Sequence, residues 1–314
     1  MRIVFAGTPV TAVPSLKALL AAGHQIVAVV TRPDAPTGRG KKLTASPVAL
    51  AAAELGLPVL RPTHPREPDF VEQLRSIAPE ACAVVAYGAL LPQNVLDIPP
   101  HGWINLHFSL LPRWRGAAPV QRALMAGDPV TGVSTFRIVK ALDAGPVYRT
   151  LELPVAPEET AGELLDRLAE VGDQVLVDTF ADIAQGRQPR PQAEQGVTLA
   201  AKVGVEDAHI DWTRPAGELV GLIRGTSPAP GAWTHFEGQR FKVLGARLHA
   251  PQAGVAALEP GELGAHPHAL FAGTADGELE LTRVQAFGKK AMDAADWARG
   301  AKPAPGTRLG EQSA

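Results

Sequence analysis

The chain has 314 residues, a formal net charge of −2 and one cysteine. That length favours two domains with a core large enough to need no disulfide or metal staple, and the near-neutral charge excludes a protein that grips nucleic acid with its whole surface. The lone Cys82 excludes a disulfide framework and points to a reducing cytosol; within the apolar run Ala81-Cys-Ala-Val-Val-Ala86 it reads as a small core residue and not as a nucleophile.

Taken in order, residues 2–6 form an apolar strand, and not a signal peptide, followed by a turn at Gly7-Thr-Pro9. Helical spacing over 10–20 and an all-apolar strand over 25–30 complete a β-α-β opening, which predicts a doubly wound α/β fold with a parallel sheet. Gly7 is followed by Thr-Pro-Val and not by a Gly-x-x-Gly fingerprint, so nicotinamide binding is a poor alternative. Residues 31–47 are rich in Pro and Gly and read as an irregular loop in which Arg32, Arg39, Lys41 and Lys42 face only Asp34. Such a loop either contacts phosphates or is simply solvated. Ser46 caps a helix over 47–55 with Pro47 at its first position, and a short strand over 57–60 and a polar helix over 69–77 follow. The core strand over 81–86 ends in the loop Tyr87-Gly88-Ala-Leu-Leu-Pro92.

The stretch from Gly102 to Gln121 carries the chemistry. Ile104, Leu106 and Phe108 alternate with Trp103, Asn105 and His107, a strand on which Asn105 and His107 share a face. An amide donor beside a group titrating near neutrality suits acyl transfer, with Asn105 holding a developing oxyanion and His107 moving a proton; the plain alternative is a solvated strand end. Ser109-Leu-Leu-Pro112 closes the strand, and Arg113-Trp-Arg-Gly116 leads into a helix over 120–126.

Further strands are predicted over 132–138 and 146–155. Between them Asp143 sits in a Gly/Pro-bounded turn, where an aspartate is ordinarily structural. A long amphipathic helix over 160–184 begins with a Thr160–Glu163 capping box, and residues 186–196 have linker composition. Beyond them come a helix over 216–224, short strands over 232–236, 240–249, 269–272 and 278–287, and a helix over 293–299, a pattern suggesting a small barrel. Residues 206–314 carry 11 Lys and Arg against 13 Asp and Glu, so any positive channel there depends on arrangement, for instance of Arg240, Lys289 and Lys290.

Asn105-Leu-His107, Ser109-Leu-Leu-Pro112, Arg113-Trp-Arg-Gly-Ala-Ala-Pro-Val-Gln121 and Leu142-Asp-Ala-Gly145 together resemble the signature of the folate-dependent formyltransferases. Arg32-Pro-Asp34, Gly38-Arg-Gly-Lys-Lys-Leu43 and Ser46-Pro47 resemble the basic loop of the branch whose acceptor is initiator methionyl-tRNA, and Pro228-Ala-Pro-Gly-Ala-Trp233 and Gly288-Lys-Lys-Ala-Met292 extend the family resemblance nearly end to end. The resemblance implies a Rossmann-like catalytic domain over 1–189, a linker over 190–205 and an OB-like, tRNA-binding β-barrel over 206–314. It implies 10-formyltetrahydrofolate as formyl donor, no metal, and a cytoplasmic monomer without a membrane partner.

By the same resemblance, Asn105, His107 and Asp143 are catalytic. Asn105 would donate to the oxyanion, His107 as imidazolium would share that task or protonate the leaving nitrogen, and Asp143 would raise the proton affinity of His107. Ser109, Leu110, Leu111, Pro112, Tyr87 and Gly88 would hold the folate, and Arg39, Lys41 and Lys42 would contact tRNA. Two positions depart from the pattern: Phe108 stands where many relatives carry a small residue, and Gly145-Pro146 replaces a more polar pair. The rival readings are transfer to a small acceptor such as glycinamide ribonucleotide or an amino sugar nucleotide, hydrolysis of the formyl group, and a non-catalytic RNA-binding module.

Overall fold

The computed structural model describes residues 1–37, 42–249 and 257–310. The chain forms two compact units, the first of 1–116, 132–153 and 165–199, the second of 117–131, 154–164 and 200–314.

In chain order the first half contains β1 (Arg2–Gly7), α1 (Val13–Ala21), β2 (Gln25–Val30), β3 (Ala35–Thr37), β4 (Lys42–Thr44), α2 (Pro47–Glu54), β5 (Val59–Leu60), α3 (Pro68–Ile77), β6 (Ala81–Val85), α4 (Gln93–Leu96), β7 (Trp103–His107), β8 (Arg115–Gly116), α5 (Pro119–Met125), β9 (Val130–Arg137), β10 (Val147–Pro154) and α6 (Ala161–Ala184). A seven-stranded sheet runs in the order β10-β9-β7-β6-β1-β2-β5. From β5 to β7 every neighbour is parallel, and β9 is antiparallel to β7. Val4, Ala6, Ala28, Val30, Cys82, Val84 and Trp103 pack in one buried cluster, which is why these strands read as nearly continuous apolar runs. Cys82 is fully buried and burial pushes its thiol pKa up, so it packs as a small apolar residue.

The direction of strand addition reverses between β1 and β6, so the crevice beyond their carboxyl ends is where a doubly wound sheet binds its ligand. At that point Thr8 Oγ1 donates to the Tyr87 carbonyl at 2.8 Å, joining the loops that follow the two strands. Gly7 is required there by space. A Cβ would come within 2.9 Å of the Ala12 Cβ and 3.0 Å of the Val85 carbonyl oxygen.

Several local expectations change. The segment 31–47 is not wholly irregular: β3 and β4 form an antiparallel ribbon with Ala35 opposite Thr44. Pro36 is tolerated because a two-stranded ribbon has only edge strands, where a missing N–H costs little. The helix predicted from residue 10 begins as a 3-10 turn, Val10–Ala12, and becomes α-helical at Val13. The helix start signals hold. Ser46 Oγ accepts from Ala49 N at 3.0 Å, and Glu163 closes the capping box on Thr160 N at 2.9 Å. The linker-like segment is tied down where Arg190 and Val147 exchange backbone hydrogen bonds of 2.7 and 2.8 Å.

The second half adds β11 (Leu199–Ala200), α7 (Ala216–Thr226), β12 (Ala232–Phe236), β13 (Gln239–His249), β14 (Leu263–His266), β15 (Ala269–Gly273), β16 (Glu278–Gln285), β17 (Met292–Asp293) and α8 (Ala294–Ala301). Its sheet is antiparallel in the order β12-β13-β16-β15-β14, with β17 on β16. Among the described residues no pairing joins β12 to β14, so the expected barrel is not closed. Register shifts around Gly245 bend β13, and one face packs Phe241, Val243, Leu270 and Leu281 against Leu219 and Ile223 of α7 and Trp297 of α8. Among the described residues no helix is long and apolar enough to cross a membrane.

Candidate active site

β7 ends at the carboxyl edge of the sheet, and its pleat turns Asn105 and His107 to one face. The register with β9 sets Asn105 opposite Phe136 and His107 opposite Ser134. The Asn105 side chain is half-buried, and among the described residues no hydrogen bond engages its amide. An amide donor at the end of a rigid strand, still unengaged, is suited to a charge that develops during reaction.

His107 is only 5% exposed. Its Nε2 lies 2.8 Å from the Trp114 carbonyl oxygen, an acceptor, so Nε2 carries the proton of the neutral ring. Nδ1 then points toward the Asp143 carboxylate, with Oδ2 at 3.9 Å. Burial lowers the pKa of His107 below the ordinary 6.5; the Asp143 charge and the Trp114 carbonyl oppose that shift without reversing it. Burial thus favours the neutral form of the resting ring, a protonation state that the sequence leaves open.

Asp143 is held at both ends. Its Oδ2 accepts from Gly116 N at 2.7 Å, and its backbone takes a positive φ of 44°, which a non-glycine residue keeps only where surroundings enforce it. The enforcing group is Gln192, whose Nε2 donates to the carbonyls of Asp143 at 2.7 Å and Gly145 at 2.8 Å. Gln192 Oε1 accepts from Arg115 Nε at 3.0 Å and Nη2 at 2.7 Å. Glycine at 145 fits for a steric reason, since a Cβ there would sit 1.7 Å from the Arg137 carbonyl oxygen.

The residues expected to hold folate occupy different settings. Ser109 is fully buried; its hydroxyl donates to the Arg113 carbonyl at 2.7 Å, and its own carbonyl accepts from Ser134 Oγ at 2.7 Å. It braces the loop from inside. Leu110, Leu111 and Pro112 are half-buried, and Leu111 N donates to Ser134 Oγ at 3.1 Å. Leu111, Pro112, Tyr148, Arg149 and Gln192 border a cavity of 520 Å³. The Tyr87 ring is core: 2% exposed, with a hydroxyl that has no hydrogen-bond partner among the described residues and whose pKa is pushed up to about 12 by burial. Gly88 is exposed at φ 81° and borders a 450 Å³ cavity with Arg32, His64, Arg66 and Leu90. Lys42 is exposed on β4; Arg39 and Lys41 lie outside the described residues.

The structure thus brings Asn105, His107 and Asp143 into one neighbourhood. The Trp114 carbonyl, the Gly116 N–H, Ser134 and Gln192 escape sequence reading: two are backbone groups, and Gln192 lies 49 residues from Asp143 in a segment that reads as a linker.

Comparison with known families assigns the chain to one of them. A formyl transferase family model matches residues 1–180, and a formyl transferase C-terminal domain model matches residues 202–302. The chain belongs to the formyl transferase family. Over 311 residues it is 57% identical to the methionyl-tRNA formyltransferase of Nocardioides sp., covering 99% of this chain and 98% of that one. The Streptomyces coelicolor methionyl-tRNA formyltransferase is 56% identical over 313 residues, covering 99% and 100%.

Solved structures extend the likeness of fold at low identity. WlaRD, a sugar 3N-formyl transferase, superposes with a TM-score of 0.66 at 16% identity, covering 92% of this chain and 99% of that one. HypX from Aquifex aeolicus in complex with tetrahydrofolic acid gives 0.65 at 19%, covering 95% of this chain; the chain spans about half the length of HypX, 47%.

Proposed function

We propose that this formyl transferase moves the formyl group of 10-formyltetrahydrofolate to the α-amino group of methionine on initiator methionyl-tRNA, for translation initiation in the cytoplasm. Identity of 50–57% to methionyl-tRNA formyltransferases along nearly the whole chain carries the reading. The small-acceptor alternatives are disfavoured by the basic segment, and WlaRD shares the fold at far lower identity.

The α-amine attacks as a neutral nucleophile. A bond forms from its nitrogen to the formyl carbon, which becomes tetrahedral and gathers charge on its oxygen, and Asn105 donates to that oxygen. His107, neutral before reaction, takes the ammonium proton at Nδ1, the nitrogen not committed to Trp114. Asp143 stabilises the imidazolium so formed. As the bond from the formyl carbon to the folate nitrogen breaks, the same proton passes to that nitrogen. No covalent enzyme intermediate is needed.

The half-buried Leu110, Leu111 and Pro112 and the exposed Gly88 backbone would hold the donor, with Ser109 and Tyr87 shaping the loops from the core side. Arg39, Lys41 and Lys42 would meet tRNA phosphates. In this reading 1–189 is the catalytic domain, 190–205 the linker and 206–314 an OB-like tRNA-binding domain, the last supported by its bent antiparallel sheet; the enzyme acts as a monomer. Incubation with labelled formyl donor and either charged initiator tRNA, glycinamide ribonucleotide, an amino sugar nucleotide or water tests it. Label should appear on the methionyl-tRNA; label on another acceptor alone would overturn the assignment.

A further inference from the structure

We infer that Gln192 is a positioning residue for the transfer reaction, fixing the Asp143 carboxylate beside His107 through hydrogen bonds to the backbone carbonyls of Asp143 and Gly145, on both sides of Ala144. The inference rests on the reaction proposed above.

Three features make it more than a brace. First, the amide nitrogen of Gln192 has two protons and meets two acceptors, the carbonyls of Asp143 and Gly145, at 2.7 and 2.8 Å. That satisfies the donor completely and fixes the turn at two points two residues apart. Second, the turn is one that would not hold itself. Asp143 sits at φ 44°, a left-handed conformation uncommon for a non-glycine residue, and the two donated bonds support it. Third, the side chain of Gln192 is itself immobilised: its oxygen accepts twice from the Arg115 guanidinium, a charge-assisted fork.

Arg115 in turn is fixed by its own backbone, whose N–H donates to the Thr198 carbonyl at 2.9 Å, and Gly116, the next residue, holds Asp143 Oδ2. One closed circuit therefore runs from Gln192 through Arg115 and Gly116 to the carboxylate of Asp143, and back through the Asp143 carbonyl to Gln192. The carboxylate is 3.9 Å from His107 Nδ1, a distance at which the interaction depends steeply on placement. Loosening the circuit moves the charge that holds up the proton affinity of His107.

The test is a double-mutant cycle with a titration beside it. Gln192→Leu removes donor and acceptor, Asp143→Asn removes the charge, and the double variant combines them. Gln192→Leu should lower kcat by roughly tenfold to a hundredfold, as for a misplaced catalytic group, with KM for the folate donor unchanged. Added to Asp143→Asn it should cost little more, because a residue acting through Asp143 has nothing left to position. NMR titration should show the His107 pKa lower in Gln192→Leu than in the wild type.

Gln192→Glu supplies the second variant, and serves where Gln192→Leu does not fold. It keeps the acceptor for Arg115 and loses both donated bonds, so it too should lose turnover. Additive losses in the cycle, an unmoved His107 pKa, or wild-type turnover in Gln192→Glu would each overturn the inference. Were the wild type to transfer no formyl group, the proposed reaction would fail, while the His107 titration would still decide whether Gln192 places Asp143.

Discussion

At the scale of single residues the site turns on the resting charge of His107. A buried imidazole whose Nε2–H is given to a carbonyl is set up to accept a proton at Nδ1, and the nearby carboxylate gains value only once that proton has arrived. In an NMR titration of the free enzyme the His107 midpoint should therefore lie below 6.5, since burial lowers its pKa. Asp143→Asn should move that midpoint to still lower pH, because it removes the charge that opposes burial, and should depress turnover. A His107 midpoint at or above 6.5, or one moving upward in Asp143→Asn, would contradict this. Asn105→Ala should lower turnover by roughly 10²–10³-fold, as for the loss of one oxyanion donor, with donor affinity preserved; near-normal turnover would remove Asn105 from the mechanism. The strand alternation made the shared face of Asn105 and His107 legible in the sequence. Asp143 was legible only through the family signature. The ring's protonation and its backbone partners were not, because Trp114 and Gly116 contribute a carbonyl and an N–H that every residue owns.

At the scale of elements, the sheet edge is fastened to α6 by charge. Arg149 on β10 donates Nε to Asp182 Oδ2 at 2.6 Å and Nη2 to Oδ1 at 2.9 Å, and Arg187 also pairs with Asp182. The two guanidinium groups hold the buried Asp182 carboxyl below the usual carboxylate range, the Arg149 hydrogen bonds foremost. A depressed folded pKa means this stabilisation is present above the unfolded value near 3.8 and is lost as pH falls through the folded value. Asp182→Asn should cost roughly 1.5–3 kcal/mol by denaturant unfolding at pH 7, the range for hydrogen bonds to a charged group, and progressively less as the pH is lowered below 3.8. The sequence showed both elements, β10 as a strand and α6 as an amphipathic helix with its capping box, since periodicity and caps are local. It did not show their fastening, nor the ribbon of β3 and β4, because a two-stranded edge pairing tolerates a proline that propensity reads as a break. Gly145→Ala puts a methyl group where the Arg137 carbonyl stands. It should destabilise by roughly 1–3 kcal/mol, as overpacking does, and a melting temperature equal to wild type would show that the turn can yield.

At the scale of the whole molecule the difficulty is charge: a chain of net charge −2 is proposed to bind a polyanion. The solution has to be local. Arg32, Arg39, Lys41 and Lys42 stand against Asp34 in one short segment, and Arg61 lies 3.6 Å from Asp34, so the acidic residue there is itself answered by a cation. This concentration was legible in the sequence because it depends on composition alone, whereas its placement relative to a bound tRNA depends on geometry that a charge count does not contain. Arg39, Lys41 and Lys42 are interleaved in the sequence with Gly38 and Gly40. Replacing all three with Ala should weaken charged-tRNA binding and flatten the plot of log K against log salt by roughly two to three units, about one for each phosphate no longer neutralised. Folate binding should be unchanged, since the donor reading uses none of the three. tRNA affinity over a salt series, with folate binding as control, checks it. An unaltered slope would make the segment a solvated loop and would force tRNA recognition onto other surfaces, Lys289, Lys290 and Arg240 being the next to substitute.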